Sequence, residues 1–213
     1  MHFLITAGGT REYIDPVRFI SNASSGRMGY ALTRAAKKAG HKVTLISASD
    51  LQPPVGVEFV GVDSAAQMFA AVKKFFAKCD CLIMAAAVAD YTPAKPTKAK
   101  IKKTGKPLII RLKPTTDILK WAGKHKKKNQ IVVGFALEDK AIRTRAEKKL
   151  REKNLDMIIA NSPAVIGSDK TCVQIKTPYT KWLRPPQAGK ASIARKIVAL
   201  IEDNSRRFCL IPK

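Results

Sequence analysis

Three stretches carry side chains whose types and spacing suit work on an anionic ligand. Ala7-Gly8-Gly9-Thr10 follows the apolar run Phe3–Thr6. Small residues there let backbone N–H groups approach a phosphate. The segment from Arg11 to Ala23 is long for a strand-to-helix loop, and long loops at that end of a parallel strand usually carry function. Within it, the Arg18 guanidinium can grip a phosphate through two parallel hydrogen bonds, and Asn22 offers a donor and an acceptor. Simple structuring of the loop is the equal alternative for both. The third stretch, Ala85-Ala86-Ala87-Val88-Ala89-Asp90-Tyr91, ends an apolar strand in small residues against which a planar ring can lie. Asp90 then falls at the carboxyl edge of the sheet, where such folds bind ligands, although a turn-forming Asp is a common plain role. Gly8-Gly9 is not Gly-x-Gly-x-x-Gly. The second strand runs into Ser47-Ala48-Ser49 with Asp50 beyond, so the carboxylate that would hold a dinucleotide ribose is missing.

The elements that position these residues alternate. Strands are expected at Phe3–Thr6, Val43–Ile46, Val57–Val62, Cys81–Ala87, Ile131–Ala136 and Met157–Ala160, with a possible edge strand at Val173–Lys176. Helices are expected from Met28 to Gly40, with Ser24 or Ser25 as N-cap, over Ala65–Ala77, from a Thr116-Asp117 cap through about Lys124, and over Lys140–Glu152 and Ala191–Asn204. Strand–helix alternation predicts an α/β fold: a Rossmann-like, mostly parallel sheet with helices on both faces. Between Tyr91 and Lys113 the alternation breaks. Its pieces Ala99–Lys103 and Pro107–Lys113 read as a β-hairpin flap, about residues 91–113. No repeat or low-complexity linker divides the chain, so residues 1–213 are read as a single domain.

Composition narrows the function classes. The longest apolar run, Cys81 to Ala89, is about half of a membrane span, and the N-terminus lacks the basic segment of a signal peptide. A cytoplasmic protein without membrane association is expected. The four cysteines form no Cys-x-x-Cys pair and read as reduced, mostly buried thiols. Forty Lys and Arg against sixteen Asp and Glu give a net charge of +24, with local density at Lys98–Lys106, Lys124–Lys128 and Arg143–Lys153. Such charge attracts polyanions and small anionic substrates alike. No nucleic-acid-binding motif is present, so nucleic acid is not read as the primary partner.

Several blocks together resemble phosphopantothenate–cysteine ligase, of the free-standing bacterial type. They are Ile5-Thr6-Ala7-Gly8-Gly9-Thr10-Arg11, Asp15-Pro16-Val17-Arg18-Phe19-Ile20-Ser21-Asn22, Ser24-Ser25-Gly26-Arg27-Met28-Gly29 and Ala85 to Tyr91. Lys100-Ile101-Lys102-Lys103, Asp117-Ile118-Leu119, Val133 to Glu138 and Lys153-Asn154-Leu155-Asp156 follow in the family's order, to about Asn161. Because Met1 precedes the first strand, the resemblance implies a ligase without the flavin-dependent decarboxylase often fused ahead of it.

The resemblance implies an enzyme that converts the carboxylate of 4'-phosphopantothenate into an acyl-nucleotide, releases pyrophosphate, and lets the amine of L-cysteine displace the nucleotide. It implies CTP as co-substrate with ATP possible, Mg²⁺, and a homodimer whose flap reaches the partner's site. Residue by residue it assigns Lys100 to the flap lysine at the phosphate, and Asn22 to the acyl-nucleotide as cysteine attacks. Arg18 is assigned to the phosphopantothenate end. Gly8, Gly9, Ala86 and Asp90 are expected at the nucleotide. Thr116, Asp117, Ile118 and Leu119 are matched to the base-reading loop, Phe135 to the base or ribose, and Lys149 and Lys153 to the triphosphate. Thr115-Thr116 stands where the bacterial branch usually has Asn-Pro, Ala99 replaces a common acidic residue and Arg27 a common Lys. A Rossmann-type NAD(P)-dependent oxidoreductase and a basic nucleic-acid-binding module are the competing readings.

Overall fold

The apolar runs are buried in a computed structural model that describes residues 1–162 and 170–208. The chain forms β1 (His2–Ala7), β2 (Arg11–Tyr13), β3 (Phe19–Ser21), α1 (Arg27–Lys38), β4 (Lys42–Ser47), β5 (Glu58–Gly61), α2 (Ala65–Phe76), β6 (Cys81–Met84), β7 (Tyr91–Pro93) and β8 (Leu112–Pro114). It continues through α3 (Ile118–His125), β9 (Ile131–Leu137), α4 (Ile142–Glu152), β10 (Met157–Asn161), β11 (Lys170–Thr171), β12 (Gln174–Lys176), β13 (Ala188–Gly189) and α5 (Lys190–Phe208).

The central sheet is seven-stranded, in the order β12-β10-β9-β6-β1-β4-β5. Every pairing is parallel except that of β10 with the edge strand β12. Period-two alternation sends successive residues to opposite faces. Phe3, Ile5, Val43, Leu45, Ile83 and Val133 pack in one core layer with α1 and α5. Leu4, Ile46, Leu82, Met84, Val132 and Ile158 pack in the other with α2, α3 and α4. Both faces are therefore covered, as the buried strand interiors required. Strand order reverses between β1 and β6, so the carboxyl ends of those two strands form the topological switch point.

Local expectations are corrected at the loops. The N-cap of α1 is not a serine: Gly26 holds that position at φ 75°, with no side-chain cap hydrogen bond. A side chain there would lie 2.8 Å from Ser49 Cβ, so only glycine makes the turn. The long loop after β1 is folded back as the two-stranded ribbon β2–β3. The flap is not paired where its sequence alternates. Its ladder joins β7 to β8, with Tyr91 opposite Pro114 and Pro93 opposite Leu112, and residues 94–111 form no strand. β6 also ends at Met84, short of Ala87. Ala87 instead bridges to Gly9 and donates its N–H to the Gly8 carbonyl at 2.8 Å.

Cys79 and Cys81 are buried free thiols, as expected; burial pushes the Cys79 thiol up to about 11. Cys172 is exposed, which departs from that expectation, and Cys209 lies outside the described residues. Among the described residues, no helix is long and apolar enough to cross a membrane.

Candidate functional site

A cleft of about 690 Å³ opens at the switch point. One wall is the loop from Asn22 into the first turn of α1, through Arg27 and Met28. The first turn of any helix carries N–H groups with no intrahelical acceptor. Here no side chain caps them and no acidic residue occupies that turn, so the end presents a positive dipole to the cleft. Gly29 lets the helix sit close to β1: a side chain would meet Ala7 Cβ at 2.5 Å.

The floor is Met84 to Val88, pinned from behind. Ala86 N–H donates to Thr6 Oγ1 at 3.2 Å and Ala89 N–H to Thr10 Oγ1 at 2.9 Å. Asn22 donates from Nδ2 to the Val88 carbonyl at 3.0 Å, which ties the loop to this floor. Asp90 lines the cleft with an exposed side chain. Its carbonyl accepts from Thr115 N–H at 2.9 Å and so fixes the approach to α3.

The opposite wall is built from α3, the end of β9 and the end of α4. Asp117 caps α3 by accepting from Lys120 N–H at 2.9 Å. Its other oxygen takes Lys153 Nζ at 2.8 Å. Burial pushes the Asp117 carboxyl up, but the Lys153 and Lys120 hydrogen bonds and the lysine charges outweigh it, and its pKa is lowered. Lys149, a turn before Lys153, donates to the Phe135 carbonyl at 2.7 Å. Burial, reinforced by the charge of Lys153, lowers the Lys149 pKa from the ordinary lysine value. α3 and α4 approach so closely that a side chain on Gly123 would lie 1.8 Å from the Lys153 carbonyl. Glu138 is paired with Arg145 at 3.1 Å.

Of the residues expected from the sequence, Asn22, Ala86, Asp90, Thr116, Asp117, Ile118, Leu119, Phe135, Lys149 and Lys153 all line this cleft. Gly8 and Gly9 do not. They are buried behind it, Gly8 at φ 84° with Ser49 N 2.6 Å from where a Cβ would sit, and Gly9 with the Asn22 carbonyl at 2.4 Å. Their smallness serves the packing of loops at the switch point. Arg18 and Lys100 also lie outside the cleft lining. The Arg18 guanidinium is committed to Asp15 and to the Ile101 carbonyl at 2.7 Å. Asp15 is itself buried and accepts the N–H groups of Val17 at 2.9 Å, Arg18 at 2.9 Å and Ile101 at 3.1 Å. The Arg18 hydrogen bond, with these N–H donors, holds its carboxyl well below the usual carboxylate range. Lys100, beside this junction, is exposed.

Residues not foreseen extend the cleft toward α5: Leu137, Glu138, Asn161, Thr171 and Lys190. The first three follow from the rule that ligands sit beyond the carboxyl ends of parallel strands, here β9 and β10. Thr171 is 1% exposed and its Oγ1 has no hydrogen-bond partner. Nothing in the local sequence marks Thr171 or Lys190. The lining contains no His or Cys, and among the described residues no group of three or more metal-ligating side chains converges. Asp50, the nearest carboxylate past β4, is engaged with Arg11 and is not in the cleft.

Comparison with known proteins agrees with this fold. The family model described as DNA/pantothenate metabolism flavoprotein C-terminal domain matches residues 1–204. The chain is 49% identical over 180 residues to the coenzyme A biosynthesis bifunctional protein CoaBC of Bacillus subtilis (strain 168), covering 82% of this chain and 44% of that one. It is 51% identical over 160 residues to a protein named cysteine/cysteine sulfinic acid decarboxylase from an unknown prokaryotic organism, covering 74% of this chain and 45% of that one. The chain thus spans about half the length of the curated relatives it matches. A solved structure of the C-terminal domain of coenzyme A biosynthesis bifunctional protein CoaBC superposes with a TM-score of 0.84. It is 38% identical, covering 97% of this chain and 96% of that one.

Proposed function

The chain belongs to the family of DNA/pantothenate metabolism flavoprotein C-terminal domains, and on that premise we propose that it ligates 4'-phosphopantothenate to L-cysteine through an acyl-nucleotide. The observation that carries the proposal is the pairing of two features across one cleft. The uncapped N-terminus of α1 faces a wall where Lys149 and Lys153 are set around Asp117 and Phe135. That arrangement suits a nucleotide held by its base at Thr116–Leu119 and Phe135, with its phosphates toward the α1 end and the lysines.

In this reading a carboxylate oxygen of phosphopantothenate attacks the α-phosphorus. The bond to the bridging oxygen breaks, and pyrophosphate leaves with the electron pair. The cysteine amine then attacks the acyl carbonyl, nucleoside monophosphate departs, and the amine loses a proton. No covalent enzyme nucleophile is required, in keeping with a lining that offers neither His nor Cys. The protein's part is positioning and charge. The α1 dipole and the lysines balance the phosphates, the alanine floor lets the acyl-nucleotide lie close to the backbone, and Asn22, tethered to Val88, orients it. Magnesium, when bound, would supply charge at the phosphates, and Asp90, an exposed carboxylate of the cleft lining, would hold it, since Asp117 and Glu138 are engaged with Lys153 and Arg145.

Lys100 does not line the cleft of its own chain, so the same reading assigns it to the cleft of a second copy in a homodimer. CTP is the proposed nucleotide, with ATP the alternative, and the cytoplasm the proposed compartment. The test is pyrophosphate release by the purified protein with 4'-phosphopantothenate and either CTP or ATP, with and without cysteine. Release that needs nucleotide and acid, and amide product that needs cysteine, is expected. Absence of pyrophosphate with both nucleotides overturns the assignment.

A further inference from the structure

The end of the sheet away from the cleft carries a second charged surface. α2 and α3 run antiparallel to the strands, so both C-termini lie at the amino ends of β6 and β9. The two ends are locked together. Lys127 Nζ donates to the Ala77 carbonyl at 2.8 Å, and the buried Gln130 amide donates to the Phe76 and Cys79 carbonyls. Trp121 packs between Phe69 and Phe76, each at 5.4 Å between ring centroids. This junction gathers Lys73, Lys74 and Lys78 from one helix end with Lys124, Lys127 and Lys128 from the other, all exposed.

One or two cations suffice to complement a helix C-terminus, and their benefit fades beyond the last turn. Six ammonium groups around two adjacent ends exceed that need. They repel one another within about a Debye length, ~10 Å at moderate salt. The nearby acids offset them only in part. Asp156 is taken by Lys126 at 2.7 Å, and Asp80, which accepts the neutral His2 N–H at 2.7 Å, leaves one carboxylate charge against the six ammonium groups. Among the described residues, Lys78, Lys124 and Lys128 have no ion-pair partner.

Aromatic rings are interleaved with this charge. His125 is exposed and stacks on Trp121 with centroids 4.7 Å apart and planes 20° from parallel. Lys73 Nζ lies 4.9 Å over the Phe69 ring and Lys74 Nζ 5.4 Å over that of Phe75. The large exposed apolar side chains of the described residues lie elsewhere, on β2–β3 and on residues 91–112 among others. The surface therefore lacks the apolar anchors that a protein partner or an inserted membrane contact would use. Unpaired ammonium groups around an exposed imidazole that is backed by a partly buried indole match another chemistry: a flexible strand of phosphates whose bases can stack.

We infer that this face, formed by the C-terminal ends of α2 and α3, binds single-stranded nucleic acid, independently of the cleft. Lys78, Lys124 and Lys128 contact phosphates, and His125, backed by Trp121, receives a base.

The test is fluorescence anisotropy of labelled oligouridylate and oligothymidylate of about twenty nucleotides with the intact chain. Each phosphate contact to a single strand contributes about −0.7 to the slope of log affinity against log salt. Three lysines therefore predict about a twentyfold loss of affinity between about 50 and 200 mM salt. The combined variant Lys78→Glu, Lys124→Glu, Lys128→Glu is expected to lose most binding and to flatten the slope by about 2. His125→Ala is expected to weaken binding about fivefold or more while leaving the salt slope unchanged. Thermal unfolding reports whether the reversed variant stays folded, and if it does not, the same triple change to Gln carries the test. RNA and DNA strands serve as separate arms, and binding of either supports the inference. Wild-type affinity and slope in the folded triple variant overturn it. So does tighter binding to phosphatidylserine vesicles than to either strand, lost in that same variant, which would assign the face to a membrane surface.

Discussion

Replacing Lys149 by Met separates binding from stability in one residue. The side chain is half-buried, donates to the Phe135 carbonyl at 2.7 Å, and lines the cleft beside Lys153. A charge-assisted contact to a phosphate contributes about 1.5–3 kcal/mol. Its removal therefore weakens nucleoside triphosphate binding about tenfold to a hundredfold. The fold responds in the opposite sense. Burial and the Lys153 charge lower the folded pKa of Lys149 below the ordinary 10.5. A lysine whose folded pKa is depressed costs stability at every pH where it is charged, and the cost fades as pH rises through the folded value toward the unfolded one. Met fills similar volume without that charge, and the lost hydrogen bond costs about 1 kcal/mol. The unfolding midpoint of Lys149→Met is thus expected to hold or rise at neutral pH. A bound triphosphate would restore the proton, so binding by the wild type should take up protons at alkaline pH, below the range of an ordinary lysine. Calorimetric titration with CTP in buffers of different ionisation enthalpy measures this uptake, and the Lys149→Met variant should lack it. Unchanged affinity in the variant, or a drop in affinity accompanied by unfolding, would refute the argument.

Three further outcomes are expected. Gly8→Ala forces a Cβ to within 2.6 Å of Ser49 N at φ 84° and should cost at least about 2 kcal/mol in denaturant unfolding, a loss of fold rather than of ligand contact. Asp117→Ala removes the α3 cap and should cost about 1 kcal/mol. Because the folded pKa of Asp117 is lowered, its contribution is present above the ordinary 3.8 and disappears as pH falls through the folded value, so wild type and variant should converge in acid unfolding. Lys100→Gln should leave unfolding unchanged, since the side chain is exposed, and remove most amide formation; a variant with wild-type turnover takes Lys100 out of the chemistry.

The inner strands of the sheet were readable because their interiors are buried on both faces. Cys81, Leu82, Ile83 and Met84 are all buried, and their unbroken apolar run announced it. The α3 cap was readable because its partners are local: the Asp117 side chain accepts the N–H of Lys120, three residues on. The start of α1 was not. Two serines preceding a helical pattern signal a side-chain cap, whereas Gly26 is selected by the nearness of Ser49, a contact that only the folded sheet creates. At Gly8 and Gly9 the folded sheet likewise supplies a reason for smallness that the sequence did not show. Their pattern suited a phosphate loop, but the atoms that forbid a side chain belong to Ser49 and Asn22 rather than to an open cleft. The flap was located and its pairing missed. Local alternation at Ala99–Lys103 outweighed the ladder between residues 91–93 and 112–114, whose partners lie about twenty residues apart in sequence.

Of the four expected site residues that fall outside the cleft, Arg18 and Lys100 do so together, and one carboxylate accounts for it. Asp15 accepts the Arg18 guanidinium and the Ile101 N–H, and Arg18 in turn donates to the Ile101 carbonyl. The β2–β3 ribbon and the excursion 94–111 are thereby joined at the residue next to Lys100. Thr97 N–H adds a second tie to the Ile14 carbonyl at 2.9 Å. The Arg18 hydrogen bond and the backbone N–H donors hold the Asp15 carboxyl well below the usual carboxylate range, so the junction keeps its ion pair through the neutral range. Around it Tyr13, Val17, Phe19 and Ile109 are exposed, the last at 88%. A bound anion at Arg18 would have to compete with Asp15 for the same guanidinium. A ligand that needs both Arg18 and Lys100 would therefore meet them as one prebuilt edge, presented outward, in line with the proposal that a second copy of the chain receives it.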